Sequence, residues 1–241
     1  MNTAQTLMQM QQLKLIGMYH AYQSQLDMSV NHQLDGHELL EHLVQSELTH
    51  RSNEKTTMLL RTAKLRLSAG IAQIECDTAR NLTKQQLALM AEGNYIKQGQ
   101  NILITGATGC GKSFIACALG HQACLQGYKT TYLNMNRLIE KITLAKLDGS
   151  YLKMLNQMEK QQLVILDDFG LQQLSQDVRL TLLQLLEDRY EKRSVVITSQ
   201  LPVSKWYEHI NDPTLADAIM DRLSANSIRL ELKGKSRRIK N

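Results

Sequence analysis

Eight consecutive residues, Gly106-Ala107-Thr108-Gly109-Cys110-Gly111-Lys112-Ser113, constrain this chain more than any other feature of it. They satisfy the pattern G-x-x-x-x-G-K-[ST] in full. An apolar run, Asn101–Thr105, stands before them and a helical pattern, FIACALGHQA, follows. Glycines at these positions let the backbone wrap so that successive N–H groups face one anion. The helix that opens here aims the positive end of its dipole at the same point. Lys112 adds charge suited to the β- and γ-phosphates of a nucleoside triphosphate, and the Ser113 hydroxyl is placed to coordinate Mg²⁺. The expected ligand is ATP with Mg²⁺, spread over Gly106, Ala107, Thr108, Gly109, Cys110, Gly111, Lys112 and Ser113.

Such a loop needs a parallel sheet behind it, and the downstream sequence has that pattern. Short apolar runs at Asn101–Thr105, Lys129–Leu133, Leu163–Asp167, Val195–Thr198 and Ile228–Leu232 read as strands. Helical patterns at Lys112–Gln126, Met135–Leu147, Gln176–Lys192 and Thr214–Ala225 separate them. Residues 1–92 read as helical, with start signals at Asp35/Glu38 and Thr83/Gln86. The expected organisation is a small all-α domain, 1–92, ahead of an α/β ATPase domain, 93–241.

A second motif fits the first. Leu163-Val164-Ile165-Leu166-Asp167-Asp168 is an apolar strand ending in two carboxylates, at the sheet edge where α/β proteins bind ligands. Asp167 is expected to hold Mg²⁺ and Asp168 to orient or deprotonate the attacking water.

Charge narrows the partners less sharply. The formal net charge is +5. Residues 1–50 carry Asp27, Asp35, Glu38, Glu41 and Glu47 against Lys14 alone. Basic residues then follow at Arg51, Lys55, Arg61, Lys64, Arg66, Arg80 and Lys84, and again in Lys233, Lys235, Arg237, Arg238 and Lys240. Segregated basic stretches suit nucleic-acid phosphates; from charge alone they suit solvated helix faces and a frayed tail equally well. Cys76, Cys110, Cys117 and Cys124 have no zinc-ligand spacing and read as reduced thiols. The opening MNTAQTLMQMQQLK has neither a basic nor an apolar leader region, and no apolar run approaches membrane-spanning length. A cytoplasmic protein with no membrane partner is therefore expected.

With both motifs in place, the chain resembles the AAA+ ATPases of the DnaA/DnaC branch. Within that branch it is similar to the IstB helpers of insertion-sequence transposition. The resemblance lies in NILITGATGCGKSFIACALG, VILDDFGLQQL, VVITSQLPVSKWYEHINDPTLADAIMDRL and the terminal RLELKGKSRR. It implies a P-loop NTPase of α/β class: a three-layer α/β/α core around a five-stranded parallel sheet of order 5-1-4-3-2, with little or no lid. It also implies sensor 1 within Thr198-Ser199-Gln200, with Gln200 having the reach and Thr198 a second candidate. Arg222 matches the arginine finger given to a neighbouring subunit's ATP. Arg238 falls at a sensor-2-like basic position, although Lys235 stands where the family pattern has Glu.

The function implied is ATP-driven assembly of a homo-oligomer through ATP-bridged interfaces. Such an assembly would sit on duplex DNA, mostly without regard to sequence, and prepare a target for a partner transposase. A DnaC-type loader of a replicative helicase shares the same ATPase motifs and is the alternative. A small-molecule P-loop kinase would need an Arg-rich lid, and residues 136–160 offer only Arg137 with scattered Lys.

Overall fold

The computed structural model describes residues 3–28, 34–234 and 236–237. It divides into two compact units, residues 1–58 and 59–241. In the first, α1 (Thr3–Gln12) and α2 (Ile16–Leu26) precede α3 (Gly36–Ala63), a long helix that continues past the division at Met58. Asp35 starts α3 as its sequence suggested. Its carboxylate accepts from the backbone N–H groups of His37 and Glu38, both at 2.8 Å, and the Glu38 carboxylate accepts from Asp35 N at 3.3 Å. Helices α2 and α3 meet at Gly17, where a Cβ would come within 2.5 Å of the Ser46 carbonyl.

The second unit is built on a five-stranded sheet. Its strands are β1 (Asn101–Gly106), β2 (Thr130–Asn134), β3 (Leu163–Phe169), β4 (Ser194–Ser199) and β5 (Ser227–Leu232). All neighbours are parallel and the order is β2-β3-β4-β1-β5, which is the expected order read from the other edge. The helices of this unit are α4 (Lys84–Ala91), α5 (Asn94–Lys97), α6 (Lys112–Leu125), α7 (Met135–Leu147), α8 (Tyr151–Glu159), α9 (Gln176–Arg189), α10 (Trp206–Ile210) and α11 (Pro213–Ser224).

Strand periodicity explains the three layers, since alternate side chains leave opposite faces. Ile102, Ile104, Leu163, Ile165 and Val196 face one core with α4, α5 and α6. Leu103, Val164, Leu166, Val195 and Ile197 face the other, with α7, α9, α10 and α11. On the first face α6 lies so close to the sheet that a Cβ at Gly120 would stand 2.6 Å from Ile165 Cδ1.

The second unit begins earlier in the chain than the boundary near residue 93. Residues 59–92 share its core: Ala69, Ile74, Leu82, Leu87 and Met90 are buried with the β1 and α6 side chains. Leu59 and Ala63 pack on Cys124. Thr83 caps α4 through the expected reciprocal pair, with Gln86 N donating to Thr83 Oγ1 at 3.1 Å and Thr83 N to Gln86 Oε1 at 2.9 Å. The segment is also stitched to the edge strand β5, because Asn81 Nδ2 donates to the Glu231 carbonyl at 3.0 Å. Its helical patterning is what made it resemble the first unit, whereas its apolar residues belong to the second.

At the N-terminal edge of the sheet one side chain closes the backbone. Arg189 is 1% exposed and donates to the carbonyls of Met158 (3.0 Å), Gln161 (2.8 Å), Gln162 (3.1 Å) and Ser194 (2.8 Å). Buried carbonyls stripped of donors are costly, so Arg189→Met should destabilise the protein by about 3 kcal/mol. Urea denaturation reads this directly, and a loss below about 1 kcal/mol would show that water replaces the guanidinium there.

Candidate nucleotide site

The loop sequence dictates its own shape at two points. Gly106 has φ +145°, and a Cβ there would lie 2.4 Å from the Leu232 carbonyl of β5. Gly111 caps α6 at φ +96°, a conformation that side chains other than glycine resist, with the Arg80 guanidinium 3.1 Å from where its Cβ would be. Between them Cys110 is 1% exposed, and its carbonyl accepts from Arg80 Nη2 at 2.7 Å. The Cys110 side chain therefore packs inward while its backbone shapes the loop.

A cavity of about 470 Å³ lies against this loop. Thr108, Gly109, Gly111, Lys112 and Ser113 line it, together with Asp168 and Gln200. Gly106, Ala107 and Cys110 do not. The first two act through their carbonyls, which accept from Lys112 Nζ at 2.8 and 2.9 Å and hold the ammonium against the loop. One wall is apolar, formed by Leu67, Ile74, Phe114 and Ile115.

Asp167 is fully buried, and hydroxyls from three elements converge on it. Ser113 of α6 donates to Oδ1 at 2.8 Å, Thr198 of β4 donates to the same oxygen, and Tyr132 of β2 donates to Oδ2. A carboxylate survives burial only when its oxygens are satisfied, and these donors satisfy it. Ser113 Oγ and Asp167 together form an oxygen donor set of the kind Mg²⁺ takes, beside a loop that leaves backbone and ammonium facing a polyphosphate. The residues fit the ligand that the sequence implied.

Asp168 follows Asp167 and would point to the opposite face in a regular strand. The strand is not regular there. Asp168 has φ +66°, and the pairing register of β3 with β4 shifts between Leu166 and Phe169. This bulge brings Phe169 back to the core face that Leu166 occupies and turns the Asp168 carboxylate into the cavity. Asp168 N donates to Thr198 Oγ1 at 3.1 Å, and Asn134 Nδ2 donates to Asp168 Oδ2 at 2.9 Å. Burial first, and then the neighbouring Asp167 charge, push the Asp168 carboxyl above its ordinary range, against the pull of Arg66, Lys112 and Asn134.

The three residues at the end of β4 divide the work. Thr198 is fully buried and committed to the acidic pair. Ser199 is equally buried; it donates to the Phe169 carbonyl at 2.6 Å and accepts from Leu201 N at 3.0 Å. Gln200 faces the cavity, and its Oε1 accepts from Thr108 Oγ1 at 2.7 Å.

Arg222 lies elsewhere in the unit. Its carbonyl accepts from Asn101 Nδ2 at 3.1 Å, at the start of β1, whereas the phosphate loop leaves the end of that strand. Five residue steps put roughly 16 Å of strand between the two places. The guanidinium pairs with Glu187 Oε1 at 2.7 Å and Asp221 Oδ2 at 3.0 Å, and sits 5.9 Å from the Tyr190 ring centre.

Arg238 lies outside the described residues. Its neighbour Arg237 lines the cavity, with its backbone N–H on the Gly109 carbonyl at 3.0 Å and its guanidinium paired with Glu75.

Several residues that shape the site were not singled out from the sequence. Asn134 could have been, as a polar residue ending the strand beside β3. Arg66 and Arg80 were counted among the basic residues that could meet DNA, yet both line this cavity.

A parallel sheet of this order, with a phosphate loop after its first strand and a buried carboxylate at the end of its third, defines a P-loop nucleotide-binding protein of AAA+ type. Solved structures agree on the fold. DnaA bound to AMPPCP and single-stranded DNA superposes with a TM-score of 0.61 at 16% identity, over 71% of this chain and 52% of that one. The DnaC helicase loader gives 0.59 at 19%, over 71% and 100%. Residues 8–241 match the family model of IstB-like ATP binding proteins, and the chain belongs to that family. An insertion-sequence ATP-binding protein of Sinorhizobium fredii is 40% identical over 233 residues, 97% of this chain and 94% of that relative. One from insertion sequence IS1162 of Pseudomonas fluorescens is 42% identical over 205 residues, 85% and 89% of the two chains.

The left-handed backbone at residue 168 yields a stability test. Asn visits this region readily and a β-branched residue does not, at a cost of roughly 1–2 kcal/mol. Asp168→Val should melt below Asp168→Asn by about 2–8 °C. Equal thermal midpoints would mean that the bulge is not required by the fold.

Proposed function

We propose that the chain is an ATPase that assembles on duplex DNA and prepares a target site for a transposase. Membership of the insertion-sequence ATP-binding family supports the setting. The placement of Arg222 carries the reading of assembly. A finger that stands on the far side of the sheet from its own phosphate loop can serve only another protomer's nucleotide, so ATP would bridge subunits. Exposed apolar residues at Leu40, Val44 and Leu48, four apart on α3, give the first unit a stripe suited to further subunit or partner contacts.

In the proposed reaction the triphosphate lies along the backbone of Gly109–Ser113, with Lys112 on its β- and γ-phosphates and the base against Leu67, Ile74 and Phe114. Mg²⁺, held by Ser113 and Asp167, would supply charge to draw electron density from the transferring phosphoryl group. Asp168, whose basicity burial raises, receives the proton of the attacking water, and Gln200 orients that water. Thr198 serves by fixing the acidic pair. Arg222 of an adjacent protomer completes the charge around the leaving phosphate.

Basic residues of α3 such as Arg51, Lys55 and Arg61 engage DNA phosphates, which gives salt-sensitive binding with little sequence preference. Filter binding to duplex DNA against capture of a replicative helicase separates this function from that of a helicase loader.

Two variants test the shared site. Lys112→Ala should lose nucleotide binding altogether, and Arg222→Ala should bind ATP normally while hydrolysing it roughly 10³-fold more slowly. Mixing the two should restore part of the turnover, because each supplies what the other lacks. Mixtures no more active than the separate variants would remove Arg222 from the neighbouring site.

A further inference from the structure

Arg66 stands in the cavity without a role in the scheme above. Its Nη1 lies 3.5 Å from Asp168 Oδ2 and 3.6 Å from Asp167 Oδ2. No other ion pair to these two carboxylates is present among the described residues. Charge-assisted hydrogen bonds to a carboxylate close at about 2.7–2.9 Å, so the guanidinium is attracted to the pair but not docked on it. Its side chain is 48% exposed.

The stem beneath it is fixed. The backbone of Arg66 and Leu67 lies against the Cys117 thiol of α6. Leu65 lies against Gly120 of the same helix, 2.9 Å from where a Cβ would stand. Arg66 is thus anchored to the helix whose first residues are Lys112 and Ser113.

The other cations of the cavity are engaged. Lys112 is tied to the loop carbonyls, Arg80 to the carbonyls of Cys110 and Glu75, and Arg237 to the Glu75 carboxylate. Arg66 combines an anchored backbone with a half-exposed guanidinium that sits beside the Tyr132 hydroxyl and in long ion pairs, facing the acidic end of the site. A cation held this way transfers to a stronger anion within reach. The terminal phosphate of a triphosphate seated on Lys112, beside Ser113 and Asp168, is such an anion.

We infer that Arg66 contacts the terminal phosphate in cis and makes the site distinguish ATP from ADP. This rests on the assignment of the cavity to ATP and adds a residue that reads the third phosphate from within the same protomer. ADP, lacking that group, leaves Arg66 on the carboxylates.

The test is equilibrium binding of a fluorescent, non-hydrolysable ATP analogue and of fluorescent ADP to the full chain with Mg²⁺. Arg66→Ala should weaken the triphosphate at least ~10-fold and change ADP less than ~3-fold. Arg66→Lys should recover part of the difference. Arg66→Gln keeps the aliphatic stem and should behave as Arg66→Ala does, which secures the result if Arg66→Ala folds poorly. Equal weakening of both nucleotides would make Arg66 a brace for the acidic pair and overturn the inference, as would no change in either. If the unaltered protein bound neither nucleotide, the ATP assignment would fall and Arg66's role with it; binding by the unaltered protein isolates the question to Arg66.

Discussion

The site depends on one buried carboxylate. Asp167 has no contact with solvent, and its two oxygens are met by hydroxyls from α6, β2 and β4. Burying these oxygens without partners would be prohibitive, and the three hydroxyls satisfy both of them. The convergence also fixes geometry. Ser113 cannot reach Asp167 unless the phosphate loop closes correctly on α6. Thr198 cannot reach it unless β4 is in register with β3, and Tyr132 adds the same condition for β2. Folding the sheet and assembling this acidic corner are therefore one event. The bulge at Asp168 follows from the same point, since Thr198 Oγ1 also receives the Asp168 amide that a straight strand would direct elsewhere.

Much of this was legible in the residues. The phosphate loop, the apolar strand ending in two aspartates and the alternation of strands with helices each left a local pattern, and the sheet order followed from the resemblance to the DnaA/DnaC branch. Helix α7 matches its expected bounds of Met135–Leu147, and the ends of the other expected elements differ by a few residues. Helices α5, α8 and α10 were missed because they are short, at four, nine and five residues. The left-handed turn at Asp168 had no signature, because aspartate at a strand end is common and its backbone angle is set by pairing with β4.

The contributions of Arg66, Tyr132, Arg80 and Arg237 could not be read from their neighbours in sequence. Each reaches the site from a different part of the chain, and arginine on a helical or irregular segment looks the same whether it meets solvent, DNA or a nucleotide. Distance in sequence hid them, while chemistry distinguished them once the chain was folded. The division of the chain was obscured for a related reason. Helical periodicity reports which face of a segment is apolar, not which core that face enters, so residues 59–92 carried no mark of the sheet they cover.

That segment bears on how the chain can be taken apart. Arg66, Arg80 and the leucines at 82 and 87 all precede residue 93, so a cut placed where strands begin would leave an α/β remnant with an open flank and a crippled nucleotide pocket. A first unit exchanged between relatives should instead be joined within α3 just before Leu59. The modular seam of this molecule runs through the last turns of a helix.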